Sequence, residues 1–134
     1  MNEDLFLQVF YEQVPEMRNI VEKYLAEIQI DMSYGMDIVW GIGILPCTIT
    51  LLEEPEKNEM ALNSLFQFIE KMVIQDEITK GITSSWTFVA FSNEERILPA
   101  AYSFMQAQTK KLWDSYMEYM RQFQLWKLSQ MEDN

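Results

Sequence analysis

The sequence predicts an all-α fold, a compact irregular bundle of about six or seven helices. Three observations lead there. Apolar residues recur at helical spacing along most of the chain, most clearly at Leu62, Leu65, Phe66, Ile69, Met72 and Val73. Pro15, Pro46 and Pro99 each fit the first turn of a helix, where a missing N–H costs nothing. The chain has 134 residues, 49 % hydrophobic and 23 % charged, which suits one domain spanning 1–134 and is too apolar for intrinsic disorder. An α+β alternative stays open, with short strands near 47–52 and 86–91, because both stretches also alternate in the manner of a strand.

Asn2 caps a first helix, with Glu3 and Asp4 at its positive end. Leu5, Phe6, Val9 and Phe10 give it one apolar stripe. Pro15 then either starts a second helix or kinks a longer one, so residues 3–30 read as a helical hairpin or a bent helix. Arg18–Glu22 and Lys23–Glu27 are i,i+4 pairs on its polar face. Ser33, Tyr34 and Gly35 break the pattern, and Asp37 caps the next segment. There Gly41 and Gly43 weaken a single helix and Pro46 offers a new start, which predicts two short helices, 38–43 and 46–54. Residues 53–59 (EEPEKNE) form an acidic connector. The strongest amphipathic helix follows and ends at Gln75 or Asp76, and Asp76 caps its successor. That successor carries Ile78, Ile82, Trp86, Val89 and Ala90. Ser92 and Glu95 have capping-box spacing, Pro99 admits a helix with Ala101, Phe104 and Met105, and the last helix starts near Thr109. The final four residues fray.

The formal charge is −11, unevenly spread. Residues 1–60 hold 12 acidic and 3 basic groups, net −9; residues 61–134 hold 9 and 7, net −2. Such a field repels nucleic acid and anionic membranes and attracts basic partners, although solubility alone also accounts for it. One cysteine, Cys47, leaves no internal disulfide and suits a reducing cytoplasm. Glu3 and Asp4 stand where an export signal carries positive charge. The longest uncharged run, Ile38 to Leu52, is 15 residues, short of the roughly 20 that cross a bilayer.

Catalytic and cofactor chemistry find little support. The chain has no histidine and four glycines, none in a phosphate-cradling run. Without histidine, zinc sites and the usual di-iron bundle motif lack their ligands. Glu53, Glu54, Glu56 and Glu59 are dense but lack the spacing of a calcium loop. Cys47 follows Pro46 in a helical first turn, which lowers a thiol pKa, yet it has no histidine as base and sits among Ile44, Leu45 and Ile49, as a buried apolar cysteine does. Asp114 with Glu118, and Glu94 with Glu95, are carboxylate pairs that a solvated helix face or a helix cap explains equally well. We therefore expect no enzyme activity, no catalytic residue, no metal and no cofactor.

Two features point to recognition. One is the acidic set Glu53, Glu54, Glu56 and Glu59, joined by Glu94 and Glu95, which suits a basic protein partner. The other is the late spread of Phe123, Trp126 and Leu128 around the last helix, with Trp126 as the anchor; packing within the domain is the competing account.

The stretches SLFQFIEKMVIQDE and FMQAQTKKLWDSYMEYM carry a resemblance to known proteins. Phe66 to Met72 and Thr109 to Trp113 resemble the patterns of a group of short, acidic, all-helical bacterial proteins, and the resemblance covers roughly residues 36–120. These are similar to the immunity proteins of bacterial toxin systems, which neutralise a toxin by occluding it. The resemblance implies a non-enzymatic cytoplasmic binder whose partner is a basic toxin, and it brings no catalytic residues with it. Three other readings remain: an acidic mimic of nucleic acid, a ligand carrier or small enzyme with an apolar pocket near Trp40, Trp86 and Cys47, and a subunit of a larger assembly. The oligomeric state is open.

Overall fold

The structure is a computed structural model describing residues 3–132. The Asn2 cap lies outside the described residues, as do residues 133 and 134. Among the described residues there are seven helices and no strand. They are α1 (Phe6–Gln13), α2 (Arg18–Ile28), α3 (residues 36–52), α4 (Glu59–Gln75), α5 (residues 77–92), α6 (Leu98–Phe104) and α7 (Ala107–Glu132). The all-α reading holds, and both candidate strands are helical. The fraying expected of the last four residues does not reach Met131 and Glu132, which are helical.

Pro15 opens a 3-10 turn, Pro15–Met17, that leads into α2, so residues 3–30 form two helices and not one bent rod. Arg18 Nε donates to Glu22 at 2.7 Å on the outer face of α2. Gln29, at φ 59°, ends that helix: its N–H reaches Ala26 and the Ile30 N–H reaches Leu25, closing the last turn in the left-handed manner. Gly35, at φ 100°, makes the next corner, a conformation that side chains disfavour. Gly35, and not Asp37, stands at the cap position of α3; Asp37 lies inside the first turn.

The predicted pair of helices at 38–43 and 46–54 is one continuous rod. α3 is α-helical at Met36–Ile38, π-helical at Val39–Ile44 and α-helical again at Leu45–Leu52. Pro46 has no N–H to give to the carbonyl of Ile42, so the α-ladder is interrupted there and the wider turn absorbs the gap. α5 repeats the device, with Glu77–Ile82, a π segment at Thr83–Thr87, and Phe88–Ser92. Here the hydroxyls of Thr83, Ser84 and Ser85 donate back to the carbonyls of Thr79, Lys80 and Gly81 at 2.7–3.1 Å, replacing backbone donors that the wider turn displaces. The extra residue also shifts the buried face. Val89, predicted inside, is 40 % exposed, while Thr87, Phe88 and Phe91 point inward; Ile78, also predicted inside, lies ahead of the π segment and is 66 % exposed. The strand-like alternation of 86–91 is this phase shift read on paper.

α4 is the central helix. Its seven buried residues cover more than one face, because α1, α3, α6 and α7 all pack against it. Phe6 and Phe10 of α1, Trp40 of α3 and Phe68 of α4 form one aromatic knot, with ring centroids 5.3–6.2 Å apart. Phe66 stacks between Phe91 and Phe104, and Phe88 meets the edge of Trp113 at 5.0 Å. The five buried threonines (Thr48, Thr79, Thr83, Thr87 and Thr109) all have hydrogen-bond partners, so the interior keeps few orphaned polar groups.

Helix ends are held by side chains from near and far. Asp76 caps α5 as expected, accepting from the Thr79 N–H at 2.8 Å. The predicted capping box at Ser92 does not form. Ser92 is the last residue of α5, and its hydroxyl turns back to the Val89 carbonyl at 3.0 Å. The N-terminus of α7 is capped across the fold instead. Glu70 of α4 accepts from the N–H groups of Gln108 and Thr109 and from the Thr109 hydroxyl at 2.8–2.9 Å. Replacing Glu70 with alanine removes all three bonds and the favourable charge at the helix start. We expect it to cost about 1–2 kcal/mol in urea unfolding, twice or more the effect of an exposed control such as Gln67→Ala.

Candidate protein-binding surface

The six glutamates predicted for partner binding come from two connectors. Glu53, Glu54 and Glu56 lie in the turn between α3 and α4, and Glu59 opens α4. Asn58 fixes that turn: its side-chain amide donates to the carbonyls of Leu51 and Glu54 at 3.1 and 3.0 Å, and its own N–H reaches Glu54. Glu94 and Glu95 belong to the corner between α5 and α6, thirty-five or more residues away in sequence. Arg96 joins the two corners. Its guanidinium binds the Glu53 carboxylate and lies 3.6 Å from that of Glu94. Next to this junction Pro55, Glu56 and Glu59 face Ala100, Ser103 and Phe104 across a shallow groove.

The structure therefore gathers Glu53, Glu54, Glu56, Glu59, Glu94 and Glu95 into one acidic corner. Five of the six are exposed and Glu94 is half-buried. Arg96 and Lys57, the latter 3.8 Å from Glu54, offset part of the charge. Among the described residues Glu56, Glu59 and Glu95 have no ion-pair partner, so they carry the uncompensated field of the corner. Arg96 is the residue that sequence reasoning missed. Its signal, a lone cation beside Glu94 and Glu95, gave no hint of a partner forty-three positions away.

Trp126, the seventh predicted residue, stands elsewhere. It lies 57 % exposed on the far part of α7, stacked on Phe123 with ring centroids 6.0 Å apart. It belongs to a projecting helix and not to the acidic corner.

The chemistry considered as alternatives is dispersed. Trp40 is fully buried, its indole N–H donating to the Thr87 hydroxyl at 2.8 Å. Cys47 instead borders a cleft with Ile20, Lys23, Tyr24, Glu27 and Thr50, a lining that includes neither Trp40 nor Trp86. Burial, and then the nearby Glu27 carboxylate, push its thiol up to about 11, so it stays protonated at neutral pH and is a poor nucleophile. Glu118 accepts from Arg121 and Gln122, and these bonds hold its carboxyl down at about 2, far from a proton donor's range. Among the described residues no three acidic or cysteine side chains converge in a way that would hold a metal ion. None of their helices is long and apolar enough to cross a membrane.

No known protein family, no curated protein and no solved structure matches the chain.

Proposed function

We propose that this chain is a non-enzymatic protein-binding domain of immunity type, which neutralises a basic toxin by covering its working surface. The observation that carries the reading is the acidic corner. Two connectors distant in sequence are tied by Arg96, and Asn58 fixes the first of them, so that their carboxylates share one exposed surface, with Glu56, Glu59 and Glu95 left unneutralised. A fixed array of like charges beside a shallow groove steers a basic protein during encounter, and the groove wall of Ala100, Ser103 and Phe104 supplies contact after it. A resident metal or cofactor has no part in this reading.

The test is kinetic. Glu54, Glu56, Glu59 and Glu95 are reversed to lysine, while Glu53 is left to hold Arg96. The binding partner is a basic protein captured at low salt and then purified. Association at low ionic strength is expected to slow at least tenfold, and its salt dependence to flatten. Loss of toxicity rescue in cells carrying the partner should accompany it. An association rate and salt slope equal to those of the unaltered protein would remove the corner from the binding surface.

A further inference from the structure

The second half of α7 is a solvated arm. The helix has 26 residues, and its first part is anchored: Thr109 and Trp113 are buried, and Leu112 and Tyr116 pack against the core. From residue 117 onward only Met120 is even half-buried, which leaves about 24 Å of helix beyond the body. Such a length of lone helix is marginal in water. Yet it carries large apolar side chains, with Tyr119 66 %, Phe123 41 % and Trp126 57 % exposed.

These three continue a seam that begins inside the fold. Leu112, Tyr116, Tyr119, Phe123 and Trp126 are spaced 4, 3, 4 and 3 residues apart. That is the heptad spacing with which one helix packs along another. The body covers the first two positions, and the seam then runs on unpartnered. The charge of the chain says what suits it. Residues 1–106 hold 6 basic and 17 acidic groups, net −11, whereas residues 107–132 hold 4 basic and 3 acidic, net +1. The arm is thus a long exposed segment of near-zero net charge, which two copies can bring together without strong repulsion. Parallel pairing would set two −11 bodies side by side. Antiparallel pairing sends them to opposite ends of the arms, beyond the roughly 8 Å screening length of physiological salt. Overlapping the two arms from residue 117 onward sets Phe123 against Trp126 of the other copy and keeps each helix end clear of the other body.

We infer that the arm is a self-association element, pairing antiparallel with the arm of a second copy. At about 150–250 Å² per aromatic side chain, the exposed parts of the three rings bring roughly 300 Å² per arm. This falls well short of the roughly 800 Å² per partner of a stable complex, so the dimer is weak and concentration-dependent. The inference does not rest on the proposed partner at the acidic corner.

Sedimentation equilibrium of the full chain tests it. The weight-average mass is expected to climb from 16.0 kDa toward twice that value, with half-conversion on the order of 10–100 μM. Added salt should strengthen the association by screening the bodies, the opposite of its effect on binding at the acidic corner. The double variant Tyr119→Glu/Trp126→Glu should remain at 16.0 kDa throughout. Leu125→Glu, also exposed but off the seam, should associate as the unaltered chain does, and circular dichroism should show all three equally helical. A mass fixed at the monomer value would overturn the inference. So would growth past twice that mass, association by the double variant, or equal loss in Leu125→Glu.

Discussion

Replacement of Trp40 with alanine is expected to be among the most damaging single changes to this protein, at about 3–5 kcal/mol. Trp40 is fully buried and touches Phe6, Phe10 and Phe68, so its removal opens a cavity at the point where α1, α3 and α4 meet. Its indole N–H also closes the bond to Thr87 that ties α3 to α5. Trp40→Phe separates the two contributions. It keeps an aromatic ring in the knot and loses the bond, and it should recover more than half of the loss. Domains of this size have about 5–15 kcal/mol in total, so the alanine variant should show a urea midpoint reduced by about a fifth or more. Equal losses in the two variants would mean that the hydrogen bond, and not the packing, dominates at this site.

Gly41→Ala should also destabilise, by about 2 kcal/mol, although alanine is the better helix former by about 1 kcal/mol. A Cβ at position 41 would fall 2.0 Å from Cε3 of Trp86 and 2.6 Å from two further ring atoms. The indole of Trp86 occupies the space that a side chain at position 41 would need, and only glycine leaves room for it. The sign of the effect should therefore depend on Trp86. In a Trp86→Ala background the clash is gone and helix propensity alone remains, so Gly41→Ala should become neutral or stabilising. A double-mutant cycle by thermal or urea unfolding measures this coupling directly. Additive losses would show that the glycine serves the π-helical turn itself and not the approach of the ring.

How far the sequence reached can be judged at these same positions. α4 was legible because its apolar stripe runs unbroken from Leu62 to Val73, and the Asp76 cap was legible because its partner is three residues away. α3 and α5 were not legible as continuous rods. A π segment inserts extra residues within a turn, and a periodicity of 3.6 loses phase there. Gly41, Gly43 and Pro46 then read as a break, and Trp86 to Phe91 as a strand. The acidic corner was half legible: the carboxylates stand in the sequence, but the Arg96 bridge that assembles them is a long-range contact without local trace. The arm shows another limit. Phe123, Trp126 and Leu128 read as a spread around the last helix, which hides both the seam that Tyr119, Phe123 and Trp126 share and the point, after Tyr116, where the body leaves them uncovered.

The buried thiol of Cys47 has a consequence for how such a molecule is regulated. With no histidine, the side chain that ordinarily gains or loses a proton between about pH 5 and 8 is missing from the chain. Every displaced group has moved further from that window. Hydrogen bonds lower Asp31, Asp76 and Glu118, while burial carries Cys47 to about 11 and Tyr11 to about 12. None of these five side chains therefore changes its charge near neutrality, and ionic strength is the stronger lever on the field they help to set. Proton sensing by histidine in an assembly built around this chain must come from the other member.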